Sequence, residues 1–289
     1  MKRKVLGVAI FAAVAMLRPS ALARAAGGVI EINQAVVNAA GGFPYKISTA
    51  GSYRLSGNLI ASGIADGIDV NAADVTIDLN GFAISGPSFG TGISSGANNE
   101  VTVENGTVVG FGTGVALSAN SIVRGVRADS NTGAGIVVTN NSMVEGCTAN
   151  SNGAVGGIQC NGSNCTISGN TANSNGTPGG GGSGIECIGS YCTISGNTTN
   201  FNGGIGIECA TEGCVISGNT ANSQTTGSGI FCKGSACLIT GNTVLNNGVN
   251  GIAAIDGTTG YGGNVLNGNG ANASGGTSLG HNLCGGTVC

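Results

Sequence analysis

The sequence predicts an all-β protein built as a single-stranded parallel β-helix of about ten coils. The first observation is a repeat in which Gly is followed by Ile or Val, at steps of 21 to 27 residues. The second is another apolar residue nine to eleven positions after each of the first eight glycines. A unit of this size with three short strands cannot close its own core, but stacked units bury a continuous apolar column. The repeat glycines are Gly67, Gly92, Gly114, Gly135, Gly157, Gly184, Gly206, Gly229 and Gly251.

The runs between the glycines are short and bounded by Gly and Asn, as in "VTIDL", "VTVEN" and "CTISG". None reaches the 10 to 12 residues of helical periodicity that a helical repeat needs, which favours strands. The 57 glycines keep no period of three, so a collagen helix is excluded. Only 8% of the residues are charged, against the usual quarter, yet the apolar clusters are too short to span a membrane beyond the N-terminus.

The first 25 residues are typical of a secretory signal. Lys2, Arg3 and Lys4 precede an apolar stretch over residues 5–17, and Ala23-Arg24-Ala25 supplies a small-x-small cleavage site. An uncleaved anchor is the alternative, although about 20 apolar residues would be expected for it. Cleavage predicts a secreted, periplasmic or cell-surface protein with no membrane span.

Cleavage also changes the net charge of the chain. The signal holds five of the ten basic residues and none of the thirteen acidic ones, so the remainder carries a net charge of −8. Such a chain is not expected to bind nucleic acid or anionic membrane surfaces, because both require clustered Lys and Arg. The sequence does not indicate an oligomeric state.

Capping segments are predicted at both ends of the coil stack. Residues 26–50 form the N-terminal cap and first strand, with "INQAVVNAAGG" (32–42) as a short amphipathic helix. The β-helix itself is expected over residues 51–270, and residues 271–289 form a C-terminal cap with its own cysteine pair. Two longer steps indicate loops at residues 81–92 and 175–184.

The position three residues after the second apolar site predicts an inward ladder of asparagine side chains. Four consecutive coils carry Asn there, and stacked amides can hydrogen-bond from coil to coil at a corner of the helix. Cys147 occupies the same column and is interpreted as a small buried residue. The column reads Asn80, Gly106, Val126, Cys147, Asn170, Asn197, Asn219 and Asn242.

Five cysteine pairs share one spacing, with four residues between the partners. In an oxidising compartment this predicts disulfides across a turn, because a turn of this length brings the two Cα atoms to about 5.5 Å. Bonding between stacked coils also remains open, although the terminal pair has no neighbour. Zinc bound by thiolates is the functional alternative. The pairs are Cys160/Cys165, Cys187/Cys192, Cys209/Cys214, Cys232/Cys237 and Cys284/Cys289, which leaves Cys147 unpaired.

Three stretches carry a resemblance to a known group: "GSYRLSGNLI" (51–60), "GIDVNAADVTIDLNGFAISG" (67–86) and the "NGxGI…ISGNT" coils. Over residues 43–270 the chain resembles the exported bacterial right-handed parallel β-helix proteins of the pectate-lyase-like superfamily. The resemblance implies the handedness of the helix. It implies no single activity, since many functions share this scaffold.

Charged residues in the first coils form the candidate catalytic row. Strand alternation places Asp78, Glu104, Arg124 and Glu145 outward, one per coil and about 5 Å apart. The resemblance implies a precedent, since pectate-lyase-like enzymes hold calcium with carboxylates and use an arginine as the base. The alternative, which we prefer, is a surface charge ladder that relieves repulsion by alternating signs.

Two further groups of titratable residues are assigned no catalytic role. Glu186 stacks above Glu208, which places two like charges together. A shared calcium ion, a raised pKa or simple solvation could each account for this, and solvation is expected. His281 is the only histidine, which excludes a multi-histidine metal centre and favours a surface role.

Three functions therefore follow from the sequence. The first is a secreted or surface protein that binds a polysaccharide along an extended face. The second is a polysaccharide lyase or glycoside hydrolase using the charged row, with calcium as its cofactor only in the lyase case. The third is a purely structural or adhesive surface protein. No other cofactor and no metal are expected.

Overall fold

A computed structural model describes residues 28–177 and 180–289. The predicted signal segment, residues 1–25, lies outside the described residues. In chain order the elements are β1 (Val29–Ile32), α1 (Gln34–Ala39), β2 (Tyr45–Ile47), β3 (Gly51–Leu55), β4 (Leu59–Ile60), β5 (Ile68–Val70), β6 (Val75–Asp78), β7 (Ala83–Ser85), β8 (Thr91–Ser94), β9 (Val101–Val109), β10 (Thr113–Ala116), β11 (Ile122–Arg127), β12 (Ala134–Val138), β13 (Met143–Glu145), β14 (Gly156–Cys160), β15 (Thr166–Ser168), β16 (Ser183–Cys187), β17 (Thr193–Ser195), β18 (Thr198–Asn200), β19 (Ile207–Cys209), β20 (Val215–Ser217), β21 (Thr220–Asn222), β22 (Ile230–Cys232), β23 (Leu238–Thr240), β24 (Thr243–Leu245), β25 (Asn250–Ala254), β26 (Gly260–Gly262), β27 (Val265–Asn267), β28 (Ala271–Ser274), β29 (Thr277–Ser278), β30 (Leu283–Cys284) and β31 (Thr287–Val288).

The strands stack into three sheets that run along one solenoid. Sheet A has fourteen strands, of which twelve follow one path from β1 to β29 while β4 and β7 lie beside it. Sheet B stacks eleven strands from β2 to β28, and sheet C stacks six from β18 to β31. Neighbouring strands are parallel, except for the final antiparallel pair β30 and β31. The parallel β-helix is confirmed, with about twelve coils rather than the predicted ten.

The core is formed by the apolar columns that the repeat predicted. On sheet B, Ile185 pairs in register with Ile158 and Ile207, and all three are buried. On sheet A, Ile194 does the same with Ile167 and Ile216. Because parallel strands stack in register, each coil shields the apolar residues of the next from water.

The described part of the N-terminus contains the predicted helix. Asn33 caps α1 by accepting a hydrogen bond from the backbone N–H of Val36 through its side chain. Val37 is fully buried against the core. Strand stacking already begins at β1 and continues past residue 270 through β28 to β31.

A ladder of buried asparagines forms one corner. The side-chain oxygen of each member accepts hydrogen bonds from the backbone N–H and the amide of the preceding member, as Asn219 does from Asn197 at 2.9 and 3.0 Å. The backbone N–H of Cys147 donates to Asn170 at 2.8 Å, which places Cys147 at the end of the ladder. The members are Asn170, Asn197, Asn219, Asn242, Asn264 and Asn282.

The column does not point inward at its first member, Asn80, although Val126 and Cys147 further along it are buried. Asn80 is exposed, with a positive φ of 51°, whereas Leu79 points inward and is fully buried. In the ladder itself the left-handed backbone belongs to the preceding glycine, as at Gly196 (φ 64°), rather than to the asparagine. In the "SGN" sequence, Gly therefore adopts the left-handed backbone of the turn, and Asn makes the hydrogen bonds of the buried corner.

A second ladder, which was not predicted from the sequence, lies five residues further along each coil. It has the same geometry: Asn152 donates from its backbone N–H and its amide to the side-chain oxygen of Asn175, at 3.0 Å in both cases. Gln224 replaces Asn at one step and donates to Thr199 O. The members are Asn131, Asn152, Asn175, Asn202, Gln224, Asn247 and Asn269.

Candidate functional site

The candidate row lies on the outward face of sheet A. Register pairs place Asp78 beside Glu104, Glu104 beside Arg124, and Arg124 beside Glu145. The row follows from strand alternation, because the flanking residues on each strand point into the core. It continues in register as Ser168, Ser195, Ser217 and Thr240.

The structure brings only part of the predicted cluster into contact. Arg124 Nε donates to Glu104 Oε2 at 2.6 Å. Asp78 instead pairs with Arg54, whose Nε lies 3.3 Å from Asp78 Oδ2. Glu145 is exposed and forms no ion pair among the described residues. The row is thus two ion pairs followed by one unpaired acid.

Arg54 is a member of the row that sequence analysis missed. It stands in register with Asp78 on β3, one coil before the regular repeat begins. The available signal was the alternation in "SYRL", in which Tyr53 and Leu55 are buried and Arg54 faces outward.

The geometry of Asp78 and Glu104 favours a charge ladder. Asp78 Oδ1 also accepts hydrogen bonds from the backbone N–H of Asn80 at 2.8 Å and from the Asn105 amide at 3.3 Å. The side chain of Glu104 is only 15% exposed, while that of Arg124 is 54% exposed. Such half-exposed pairs contribute about 0–1 kcal/mol to folding. The outer edge of each guanidinium remains open to solvent and to an anionic ligand.

A second group of polar residues lies on the outward face of sheet B. Glu186 stands in register between Gln159 and Glu208, and Phe231 follows in the next coil. Gln159 Nε2 donates to Glu186 Oε2 at 2.8 Å. The Lys233 ammonium contacts Glu208 Oε1 and lies 5.6 Å from the centre of the Phe231 ring.

Burial distinguishes this group from an ordinary solvated pair. Glu208 is only 3% exposed although it faces outward, so the expectation of simple solvation was wrong for it. Burial is the main cause that raises the pKa of Glu186. The Glu208 charge raises it further, while the Gln159 hydrogen bond and Lys233 lower it.

The ten paired cysteines form disulfides within their own coils. Cys187 ends a strand of sheet B and Cys192 precedes a strand of sheet A, with Cα atoms 6.6 Å apart. The five bonds join the five pairs that share the spacing. Sulfur atoms of adjacent coils lie close together, those of Cys187, Cys192 and Cys214 within 4.8 Å. Because these cysteines are disulfide-bonded, they do not offer the thiolates that a zinc site would need.

The terminal disulfide differs from the other four in its surroundings. Cys289 is exposed and Cys284 only half-buried, whereas the eight cysteines of the other pairs are all buried. Cys289 follows the last strand, so its bond to Cys284 closes the antiparallel hairpin of β30 and β31 instead of joining sheet B to sheet A. Its backbone N–H donates to Asn282 O at 2.9 Å. The terminal pair thus forms the predicted disulfide across a turn, but in more exposed surroundings than the other four.

Cys147 and His281 lie outside the candidate sites. Cys147 is buried and unpaired, and burial raises the pKa of its thiol to about 11, so it is a poor nucleophile. His281 is exposed in the last coil. No helix in residues 28–177 and 180–289 is long and apolar enough to cross a membrane.

Comparison with known proteins defines the class of this protein. A family model described as "Right handed beta helix region" matches residues 45–187. The chain folds as a right-handed parallel β-helix. No curated protein matches the sequence significantly.

Solved structures with the same fold share little sequence with this chain. The mannuronan C-5 epimerase AlgE4 A-module of Azotobacter vinelandii is 14% identical over 87% of this chain and 84% of that one, with a TM-score of 0.62. The AlgE6 A-module of the same organism is 13% identical over 89% and 80%, with a TM-score of 0.54. The Dettilon tailspike protein is 14% identical over 89% of this chain, with a TM-score of 0.54, and this chain spans 54% of the tailspike. These likenesses show the fold alone.

Proposed function

We propose that this chain is a secreted or surface protein that binds a linear polysaccharide along the outward face of sheet A. The observation that supports this most is the in-register row from Arg54 to Thr240, which offers one polar side chain per coil. Its spacing of about 4.8 Å is set by the stacked strands. A linear polymer lying along the solenoid axis meets a hydrogen-bonding group at each step. Two solved proteins of this fold are mannuronan C-5 epimerases.

The two arginines favour an acidic polysaccharide. Arg54 and Arg124 each use Nε for a row carboxylate, and their side chains remain about half exposed. A guanidinium engaged on one edge still presents donors to a sugar carboxylate in a charge-assisted hydrogen bond. The serines of the later coils then extend contact along the neutral part of the polymer.

Binding is tested by titrating polymannuronate, polygalacturonate and a neutral glucan against the immobilised protein. Charge-assisted hydrogen bonds contribute about 1.5–3 kcal/mol each. Arg54→Ala and Arg124→Ala should therefore each weaken polyuronate binding by about 10- to 100-fold. Arg127→Ala is the matched control, because Arg127 is also exposed, at 64%, but pairs with Asp129 outside the row. Lack of binding to every polymer, or an equal loss in the control, would reject the proposal and favour the structural or adhesive alternative.

Turnover of the bound polymer is the second candidate function. Glu145 favours it, since this acid has no ion-pair partner in the described residues and lies in register beside Arg124. Polyuronate cleavage is followed by reducing ends and by unsaturated product, with and without calcium. If the row is catalytic, Glu145→Gln and Glu104→Gln abolish cleavage while polymer binding remains. Binding without any cleavage by the native protein would leave binding as the function.

A further inference from the structure

The polar group on sheet B contains an amine and a carboxylate in direct contact. Lys233 lies two residues beyond Phe231, which pairs in register with Glu208. Its ammonium therefore reaches back by one coil to contact Glu208 Oε1. Glu208 Oε1 is buried and has no hydrogen-bond partner among the described residues, so the contact is ionic without hydrogen-bond geometry.

Several features distinguish this pair from the other ion pairs of the described residues. The cation in the other three pairs is a guanidinium, which stays protonated and is therefore not a nucleophile. These pairs are Arg54–Asp78, Arg124–Glu104 and Arg127–Asp129. Glu208 is the one carboxylate of these four pairs that is almost completely excluded from water, with a side chain 5% exposed. Lys233 supplies a primary amine, which becomes a nucleophile once it loses a proton.

We propose that Lys233 and Glu208 form an isopeptide bond, an amide between Lys233 Nζ and Glu208 Cδ, within the folded chain. The bond would covalently link two neighbouring coils. The five disulfides each close a turn within one coil, so none of them ties one coil to the next. This is a modification of the chain itself and does not depend on the proposed polysaccharide binding.

The reaction is a dehydration that needs no oxidant or reductant. A proton passes from the Lys233 ammonium to the Glu208 carboxylate across their direct contact, which leaves a neutral amine. The amine then attacks Glu208 Cδ, the carbon–oxygen bond to the hydroxyl breaks, and one water molecule leaves. The amine loses its remaining extra proton as the hydroxyl gains one, so the net reaction is ammonium plus carboxylate to amide plus water.

Glu186 is placed to assist the proton transfers. It stands in register beside Glu208 and is held by the Gln159 amide. Burial raises the pKa of its carboxyl group. A protonated carboxyl beside the carbonyl oxygen can donate during attack and recover the proton from the amine, as a general acid and base does. The fixed contact between amine and carboxylate supplies the high effective concentration that such an amide needs.

The test is the intact mass of the purified native protein. With the five disulfides and the observed N-terminus taken into account, the protein should be lighter than its sequence mass by one water molecule. Lys233→Arg, which retains the ion pair, should abolish the loss, and so should Glu208→Ala. Lys46→Arg is the matched control, because Lys46 stands in register with Asp69 on the same sheet but forms no ion pair with it. Its mass deficit should persist.

Peptide mapping after reduction locates the bond. The expected product is a branched peptide that joins the segments around Lys233 and Glu208. Glu186→Gln should lower the cross-linked fraction while the circular dichroism spectrum stays unchanged, which separates proton transfer from folding. A native mass without water loss, or a loss that survives in Lys233→Arg, would overturn the proposal. An undiminished cross-linked fraction in Glu186→Gln would remove Glu186 from the reaction.

Discussion

Replacing Asn219 by Ala tests whether the asparagine ladder stabilises the solenoid. Asn219 is fully buried in the middle of the ladder. Its side-chain oxygen accepts from the backbone N–H and the amide of Asn197, at 2.9 and 3.0 Å. Its amide donates to Ile194 O at 2.9 Å and to Asn242 Oδ1 at 3.0 Å. The substitution removes all four hydrogen bonds and adds no charge.

The expected loss follows from the number of bonds. At a net value of about 1 kcal/mol each, the free energy of unfolding should fall by about 4 kcal/mol. The Asn197 N–H has no other acceptor after the substitution and is left unpaired in the core. An orphaned buried donor costs about 1–3 kcal/mol, which is consistent with this total.

Asn222→Ala is the matched control for the same change of side chain. Asn222 faces outward and is half-buried, and its side-chain oxygen accepts one hydrogen bond, from Leu245 N–H at 2.9 Å. Its replacement should cost about 1 kcal/mol.

Guanidinium unfolding, followed by far-ultraviolet circular dichroism with the disulfides intact, gives both values where the variants share the wild-type m value. If Asn219→Ala falls within about 1 kcal/mol of the control, the ladder does not stabilise the fold through these four hydrogen bonds.

Three further predictions concern single titratable or ladder positions. Cys147→Asn should raise the free energy of unfolding by about 1 kcal/mol, because the new amide can take the place of Sγ against Val123 O and also reach Asn170 Oδ1; a loss relative to Cys147→Ser would contradict this. Thiol titration should find no reactive group in the native protein, since burial raises the pKa of Cys147 to about 11, and one per chain after denaturation without reductant; more than one would mean that a disulfide is open. Burial, and then the neighbouring Asp66, raises the pKa of Asp69 above 3.8, so the stability linked to its proton is present below that value and is lost as the pH rises through the raised pKa. Asp69→Asn should therefore raise Tm near pH 7 and leave it unchanged near pH 3, and an equal effect at both values would exclude this linkage.

The sequence predicts the coil architecture well because the recurring apolar residues indicate both the repeat period and the positions that face the core. The position of Ile194 is occupied by an apolar residue in neighbouring coils. Its spacing from Gly184 indicates where the strand lies and which of its residues point inward. The second ladder carried a comparable signal that was overlooked. Asn170 and Asn175, like Asn197 and Asn202, are five residues apart, but Gln224 breaks the pattern in the coil of Asn219.

The failures concern positions where neighbouring coils differ. Asn80 shares its place in the repeat with Asn170, yet the chain turns later there, at Asn80 and Gly81, both with positive φ, rather than at the residue before, as at Gly169. Leu79 then fills the corner in place of the amide. Arg54 was missed because it precedes the first regular repeat. Glu208 is buried and contacts Lys233 of the next coil, and alternation along a strand predicts neither.

The stabilising features and the charged candidate row lie in different halves of this solenoid. The coils after Cys147 contain all five disulfides and the full first ladder, so their polar groups are largely satisfied within the core. The earlier coils contain the charged row and no disulfide among the described residues. The side chains of Arg54 and Arg124 are about half exposed, which leaves their guanidinium groups available to a ligand. A polysaccharide aligned on sheet A would therefore be anchored by charge in the first coils and guided by hydroxyl groups along the rigid later ones.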